Sequence, residues 1–403
     1  VANTILTHQM IARESAAMLM EELCFISNIN RSRQKEFGED VNGFTKGAIV
    51  KVKIPPATKV FDGAVFAGGG AVPDQVENYV NLAVATQKHV ALKFTSLEKA
   101  MHLAQYKERF MKPAITSLAS SIQADFLAKA YKQVPGLVGT AGSIPSTIKT
   151  YAQARAYLER FLAPADSRFC LFSSDANTEL VDASKALFNP TKEMSEMFRN
   201  GYFGRAHGLE FFECQSMPFH TNGNKVASVQ VNGASQTGST LSVKGVAASD
   251  TFKAGTVFTI ANVFAVHPLT GATLPQLRQF VVTADATMAG TTGSISISPP
   301  LNATAPGATV SALAADSAAL TLVGSASTGY RQNMVFHKDA FATAFVPLKV
   351  LAGCEGYTFS TEEFAVRVMT GGDFTNDAEN TRIDVLYADP VIIRPDHAVR
   401  ITE

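Results

Sequence analysis

Tryptophan is absent from this chain, cysteine occurs four times in 403 residues, and 35 basic residues are matched by 35 acidic ones, leaving no net charge. Each shortage removes a class of function. Without an excess of positive charge, counterion release cannot make nucleic-acid binding the main task. Cys24, Cys170, Cys214 and Cys354 stand far apart, with no Cys-x-x-Cys and no nearby His to complete a zinc site. Free buried or half-buried thiols are expected, rather than disulfides or a metal. The apolar runs are too short to cross a bilayer, and the first residues lack the basic-then-apolar order of a secretion signal. A soluble chain made in a reducing compartment is expected. His-Glu-x-x-His and Gly-x-Ser-x-Gly are missing, and Gly68-Gly69-Gly70 is not followed by the Gly-Lys-Ser/Thr of a phosphate loop. The acidic cluster Asp373, Asp377, Glu379, Asp384 and Asp389 has no companion base or basic clamp, so no catalytic residue and no cofactor is expected.

Charge is also missing locally. Residues 222–330 hold seven charged side chains and no Glu, against 63 charges in the other 294 residues. Such a block reads as a separate domain spliced into a host. Val226, Val229 and Val231, then Leu241 and Val243, Val257 to Ile260, Phe280 to Val282, and Ile295 with Ile297 alternate with Gly, Ser, Thr and Asn, which suggests short strands of a small barrel or sandwich. Asn232-Gly233 and Ala254-Gly255 are expected turns. The Ala/Thr/Gly-rich stretch from Asn302 to Ala319 is the one part that reads as low complexity. Phe252, Phe258, Phe264 and Phe280 read as barrel core.

The rest of the chain shows clear periodicities. Ile11, Met18, Leu19, Leu23 and Ile26 fall at helical spacing, giving an amphipathic helix over 11–29 that docks either on its own domain or on a neighbour. Val50, Val52 and Ile54 alternate with Lys51 and Lys53 before a Pro pair, and Val80, Leu82 and Val84 alternate again. The two runs read as a long paired-strand arm, which alone buries too little apolar surface to be stable. Thr95-Ser-Leu-Glu98 fits a capping box, so a helix is expected from Leu97, broken at Pro113 and continued to about Lys132. Beyond it, helices at 146–162 and 176–187 with strands at 168–172 and 209–213 indicate an α/β layer. A short helix is expected at 194–200, and the α/β pattern resumes at Arg331.

That order of parts resembles the major capsid proteins of tailed double-stranded DNA bacteriophages. Three stretches carry the resemblance: Phe198 to Pro218, a glycine–strand–glycine–strand passage ending in Met-Pro; Asn333 to Leu348, a strand and short helix returning to the core; and Phe364–Met369, Arg382–Tyr387 and Pro395–Arg400, a pair of long strands and a final buried one. The low-charge block lies where coat proteins of the short-tailed Salmonella-phage type carry an inserted β domain. The resemblance implies an α+β capsid fold with an N-terminal arm (1–45), an extended β-hairpin loop (46–94), a peripheral domain with a spine helix (95–145), a first axial part (146–221), the inserted barrel (222–330) and return strands (331–403). It implies a shell of hexamers and pentamers in the virion, assembled in the host cytoplasm with a scaffolding protein and a portal. The shell would enclose double-stranded DNA without reading its sequence, and no membrane partner is implied. Val50, Lys51, Val52, Lys53, Ile54, Val80, Leu82, Val84, Met18, Leu19 and Leu23 are the candidate subunit-interface residues. Some relatives weld subunits through Lys-to-Asn bonds, but no matching Asn and Glu accompany Lys51, Lys53 and Lys59. An encapsulin-like compartment shell and a glycan-binding β domain are the alternatives.

Overall fold

The computed structural model describes residues 8–32, 40–41, 44–45, 49–54, 78–95, 110–183, 204–304, 307–361, 364–373 and 378–403. The expected helix start at Leu97 and the helix at 194–200 lie outside them. The chain divides into two compact units. One holds Val1–Val52, Val80–Leu127 and Phe341–Val391, and the other holds Lys53–Tyr79, Ala128–Ala340 and Ile392–Glu403.

The first unit is built on a five-stranded sheet in the order Glu355–Ser360, Ala365–Asp373, Ala378–Ala388, Asn78–Thr95, Ile49–Ile54. The long strands expected near Phe364 and Arg382 form an antiparallel hairpin with Arg367 opposite Asp384. The expected arm strands are neighbours in the same sheet. Pro113 sits in the first turn of the helix Lys112–Ala130, after a π turn at 110–111, which is where the expected break falls. Within this unit the helix contributes Phe126, whose ring stacks on Phe345 at 6.1 Å and meets Tyr387 at 4.8 Å. The Tyr387 hydroxyl donates to Asp125 at 2.8 Å, so the aromatic cluster keeps its one polar tip satisfied.

A charge is buried in the same sheet. Asp384 is fully buried and accepts from Arg367 Nη2 at 2.9 Å, Arg382 Nε at 2.6 Å and Gln87 Nε2 at 3.0 Å. Arg367 also donates to the Lys349 carbonyl at 2.6 Å. The N-terminal segment folds as two helices, His8–Glu22 and Cys24–Ser27, rather than one, and the first packs on the strands Glu355–Ser360 and Ala365–Asp373.

The second unit has a mixed sheet in the order Gly136–Val138, Ala398–Thr402, Gly329–His337, Arg168–Phe172, Leu209–Glu213, Arg205–Ala206. The expected strands 168–172 and 209–213 are present and pair in parallel, the first covered on both faces and the second exposing Glu210 and Glu213. The helix Ile148–Arg160 buries Tyr151, Ala154 and Leu158 against this sheet, and a second helix, Ser174–Ala183, adds Leu180. Cys170 and Cys214 are buried and Cys24 and Cys354 half-buried, and none of the four is in a disulfide.

Six strands of the low-charge block close into a barrel: Val229–Val231, Gly238–Lys244, Thr292–Leu301, Thr273–Val282, Val257–Val266 and Ala319–Leu322. Phe258 and Phe280 are register partners on the neighbouring strands Val257–Val266 and Thr273–Val282, their rings stacked at 5.7 Å. Phe252 is also buried, whereas Phe264 is half-buried. Gly233 and Gly255 sit at φ +94° and +100°, so both expected turns use the left-handed region. The Ala/Thr/Gly-rich stretch is not a loose segment over its described residues, because Val310 and Ala314 plug into the barrel core.

Two expectations follow. The barrel core is made by residues of 226–322 alone, so residues 222–330 expressed by themselves should unfold cooperatively with a β-type circular dichroism spectrum. A random-coil spectrum would contradict this. Asp384→Ala leaves two arginines without their buried partner and should lower unfolding free energy by about 3–5 kcal/mol, measurable by chemical denaturation.

Candidate functional site: assembly surface and barrel junction

Alternation decides how the candidate interface residues are placed. Val52 and Leu82 point inward and are 2% and 0% exposed, while Lys51 and Lys53 face outward on the edge strand Ile49–Ile54. Val50, Ile54, Val80 and Val84 are half-buried. On the first helix Leu19 is fully buried, Leu23 follows it at 2% exposure, and Met18 is half-buried. Of the two docking modes open to the helix, the structure shows cover within the chain itself, and the same holds for the arm strands, since Leu19, Leu23, Val52 and Leu82 are all buried. The apolar residue this edge strand does present is Ile49, 59% exposed. Lysines along an exposed edge discourage indiscriminate strand pairing while leaving the edge open to a shaped partner.

The second built feature lies within the other unit, where barrel meets sheet. The chain leaves the sheet through Phe219–Thr221 and returns through Gly329–His337, and these two segments pair antiparallel, with His220 opposite Tyr330. Gln279, on a barrel strand, accepts from the Leu137 amide at 2.9 Å and donates to the Leu137 carbonyl at 2.8 Å, a side-chain imitation of strand pairing. Its neighbour Arg278 is 2% exposed, reaches Asp396 at 2.6 Å and lies 4.8 Å above the Phe161 ring. Burial, with the Asp396 carboxylate beside it, pushes the Tyr157 hydroxyl far above its ordinary range.

His220 is the centre of this junction. Its Nε2 lies 3.1 Å from Asn222 Oδ1 and 3.2 Å from Thr256 Oγ1, and its ring meets Tyr131 edge-on at 5.7 Å. Gly255 permits that approach: a Cβ there would stand 3.0 Å from Tyr131 and 3.1 Å from His220, at a φ that side chains avoid. Burial, reinforced by the charge of Arg400, pushes the His220 pKa down to about 4, and burial with Arg394 does the same to His397. Sequence reasoning missed these residues because isolated His and Arg carry no spacing signal.

Neutral burial has a definite sign. An unfolded imidazole takes up a proton near pH 6.5, whereas these two hold out until about pH 4. Unfolding therefore binds protons across that window. Stability should be whole above pH 6.5 and fall as pH drops toward 4, by roughly 1–3 kcal/mol per histidine. His220→Gln should flatten that slope in acid-unfolding curves, and an unchanged slope would rule the residue out.

Comparison with known proteins gives one match in sequence and many in fold. The family model described as P22 coat protein, gene protein 5, matches residues 51–401. No curated protein matches. Among solved structures, one from Mycobacterium phage Che8 is 14% identical, covering 94% of this chain and 90% of that one at a TM-score of 0.47. A capsid structure of the cyanophage P-SCSP1u is 10% identical over 89% and 84%, at 0.44. The CUS-3 coat protein I-domain is 28% identical, covering 25% of this chain and 97% of that one, at 0.19.

Proposed function

Because the chain belongs to the P22 coat protein family, and so is a major capsid protein forming the shell of a bacteriophage virion, we propose that its copies join as pentamers and hexamers into an icosahedral wall around double-stranded DNA. The family match over 51–401 is the observation that carries this reading, and it favours a virion coat over a compartment shell or a glycan-binding protein. A scaffolding protein and a portal are the proposed assembly partners, and the host cytoplasm is the proposed site of assembly. The role is purely structural, with no reaction catalysed. Zero net charge supports enclosure without sequence-specific DNA binding, since such a wall does not gain from releasing counterions of the packed genome.

The edge strand Ile49–Ile54 is the proposed subunit interface, with Lys51, Lys53, Val50 and Ile54 contributing beside the exposed Ile49 and with Val80 and Val84 on the neighbouring strand, while Met18 on the first helix is proposed as a separate contact. The barrel is proposed to support subunit folding and to add contacts between capsomers. Leu269, 73% exposed in the turn between the strands Val257–Val266 and Thr273–Val282, supports the second part, because an apolar side chain at a tip gains from being covered.

Purified chain, alone or with a scaffolding protein, should give closed shells or capsomers by negative-stain microscopy, and a strictly monomeric species at high concentration under both conditions would defeat the proposal. Ile49→Ser should cut shell yield while changing monomer stability by no more than about 0.5 kcal/mol. Val52→Ser should do the reverse, lowering the melting temperature first, because Val52 belongs to the chain's own core.

A further inference from the structure

Arg400 stands on the last strand, opposite Met334 and beside Leu137, with both faces of that strand covered. It is fully buried, yet its Nε, Nη1 and Nη2 have no hydrogen-bond partner. A guanidinium brings five N–H donors and a fixed charge. Leaving both unmet inside a protein costs several kcal/mol, and a cation–π contact of about 0.5–2 kcal/mol does not offset that. The Tyr131 ring, 5.7 Å away, is the contact of that kind found here.

The surroundings do not supply the missing charge. Arg400 lines a cavity shared with Leu137, His220, Asn222, Gln332 and Thr402, and no carboxylate is among the lining residues. Asp285 lies near His220 but is held by Lys253 at 2.9 Å and by the Ala254 amide at 2.8 Å, while Lys132 adds positive potential on the same side. Asn222 Nδ2 is occupied by the carbonyls of Val323 and Ser325, and the His220 ring by Asn222 and Thr256. Burial pushes the guanidinium pKa down only to about 9, so the charge is still present at neutral pH.

Room in the cavity fixes the size of the occupant. The space open to the centre of a water-sized sphere is about 10 Å³, room for a single small occupant. We propose that this cavity, at the junction of barrel and sheet, binds one small monovalent anion of the halide class, held by the Arg400 guanidinium. A water molecule would accept the same N–H groups but would leave the charge uncompensated. Gln332 Oε1, also buried and without a partner, is the one lining group that favours water. The test must therefore separate the two occupants.

The full chain should be melted at constant ionic strength while sodium gluconate, whose anion is too large for the cavity, is replaced stepwise by sodium chloride or bromide. The melting temperature should rise and saturate with halide in the native chain and stay flat in Arg400→Met, which keeps the stem and removes the charge. Equal melting in chloride and gluconate, the result that a neutral water gives, would overturn the proposal, as would a halide response retained in Arg400→Met. Should that variant fail to fold, native crystals grown in bromide decide the matter by themselves. An anomalous peak beside the Arg400 guanidinium supports the site, and its absence overturns it.

Discussion

A hundred-residue insertion leaves its host sheet intact only if its two ends meet, and here they are hydrogen-bonded to each other. Phe219, His220 and Thr221 pair with Arg331, Tyr330 and Gly329 in antiparallel register, so the barrel hangs from a two-stranded stem that continues directly into the sheet. Without that stem the ends would be closed across the whole insert at the entropic cost of a long loop. With it, the strand Gly329–His337 runs on from the stem into the sheet between Arg168–Phe172 and Ala398–Thr402 as though no insert existed. The positions of Gln279 against Leu137, of Arg278 against Asp396 and of His220 beneath Gly255 all follow from that one pairing.

A polar junction is the physical consequence. Barrel and sheet meet through neutral amides, the deprotonated His220 of the stem, Arg278 from the barrel and Arg400 from the sheet, rather than through a continuous apolar seam. Each group requires a partner at a particular angle, so the junction specifies one seating of the barrel more sharply than it stabilises that seating. For a subunit that must present the same surfaces in every copy of a shell, a single defined seating matters more than extra stability.

What the sequence disclosed depended on how directly periodicity maps onto burial. Arg168–Phe172 and Leu209–Glu213 were legible because an apolar run bounded by Ser, Gly and turn residues has one stable home, a covered strand. The barrel was legible because its strands alternate and its turns carry Gly233 and Gly255. Pro113 was legible as a break, since a fixed φ and a missing N–H suit the first turn of a helix and not its interior. Leu19, Leu23, Val52 and Leu82 were identified correctly as apolar faces, but which chain covers such a face is a tertiary fact. Arg400 was hidden for the opposite reason. Its strand was expected to be buried, but an arginine alternating with Val399 and Ile401 gives no sign that it is covered on both faces and left without a charge partner. Only the junction, built from residues far apart in sequence, makes it visible.

The buried network around Asp384 answers a problem particular to long strands. A slip by one residue between Ala365–Asp373 and Ala378–Ala388 would turn apolar side chains outward, so hydrophobicity alone forbids it. A slip by two would keep every side chain on its proper face, and the apolar pairs would barely distinguish it from the native register. Arg367 opposite Asp384 does distinguish it, because two residues either way the carboxylate loses that guanidinium while staying buried. Gln87 extends the same lock to Asn78–Thr95, the strand beside the lysine-bearing edge. Register there fixes which side chains that edge presents to a neighbouring subunit. A charge that adds little net stability therefore sets the alignment on which the proposed contact surface depends.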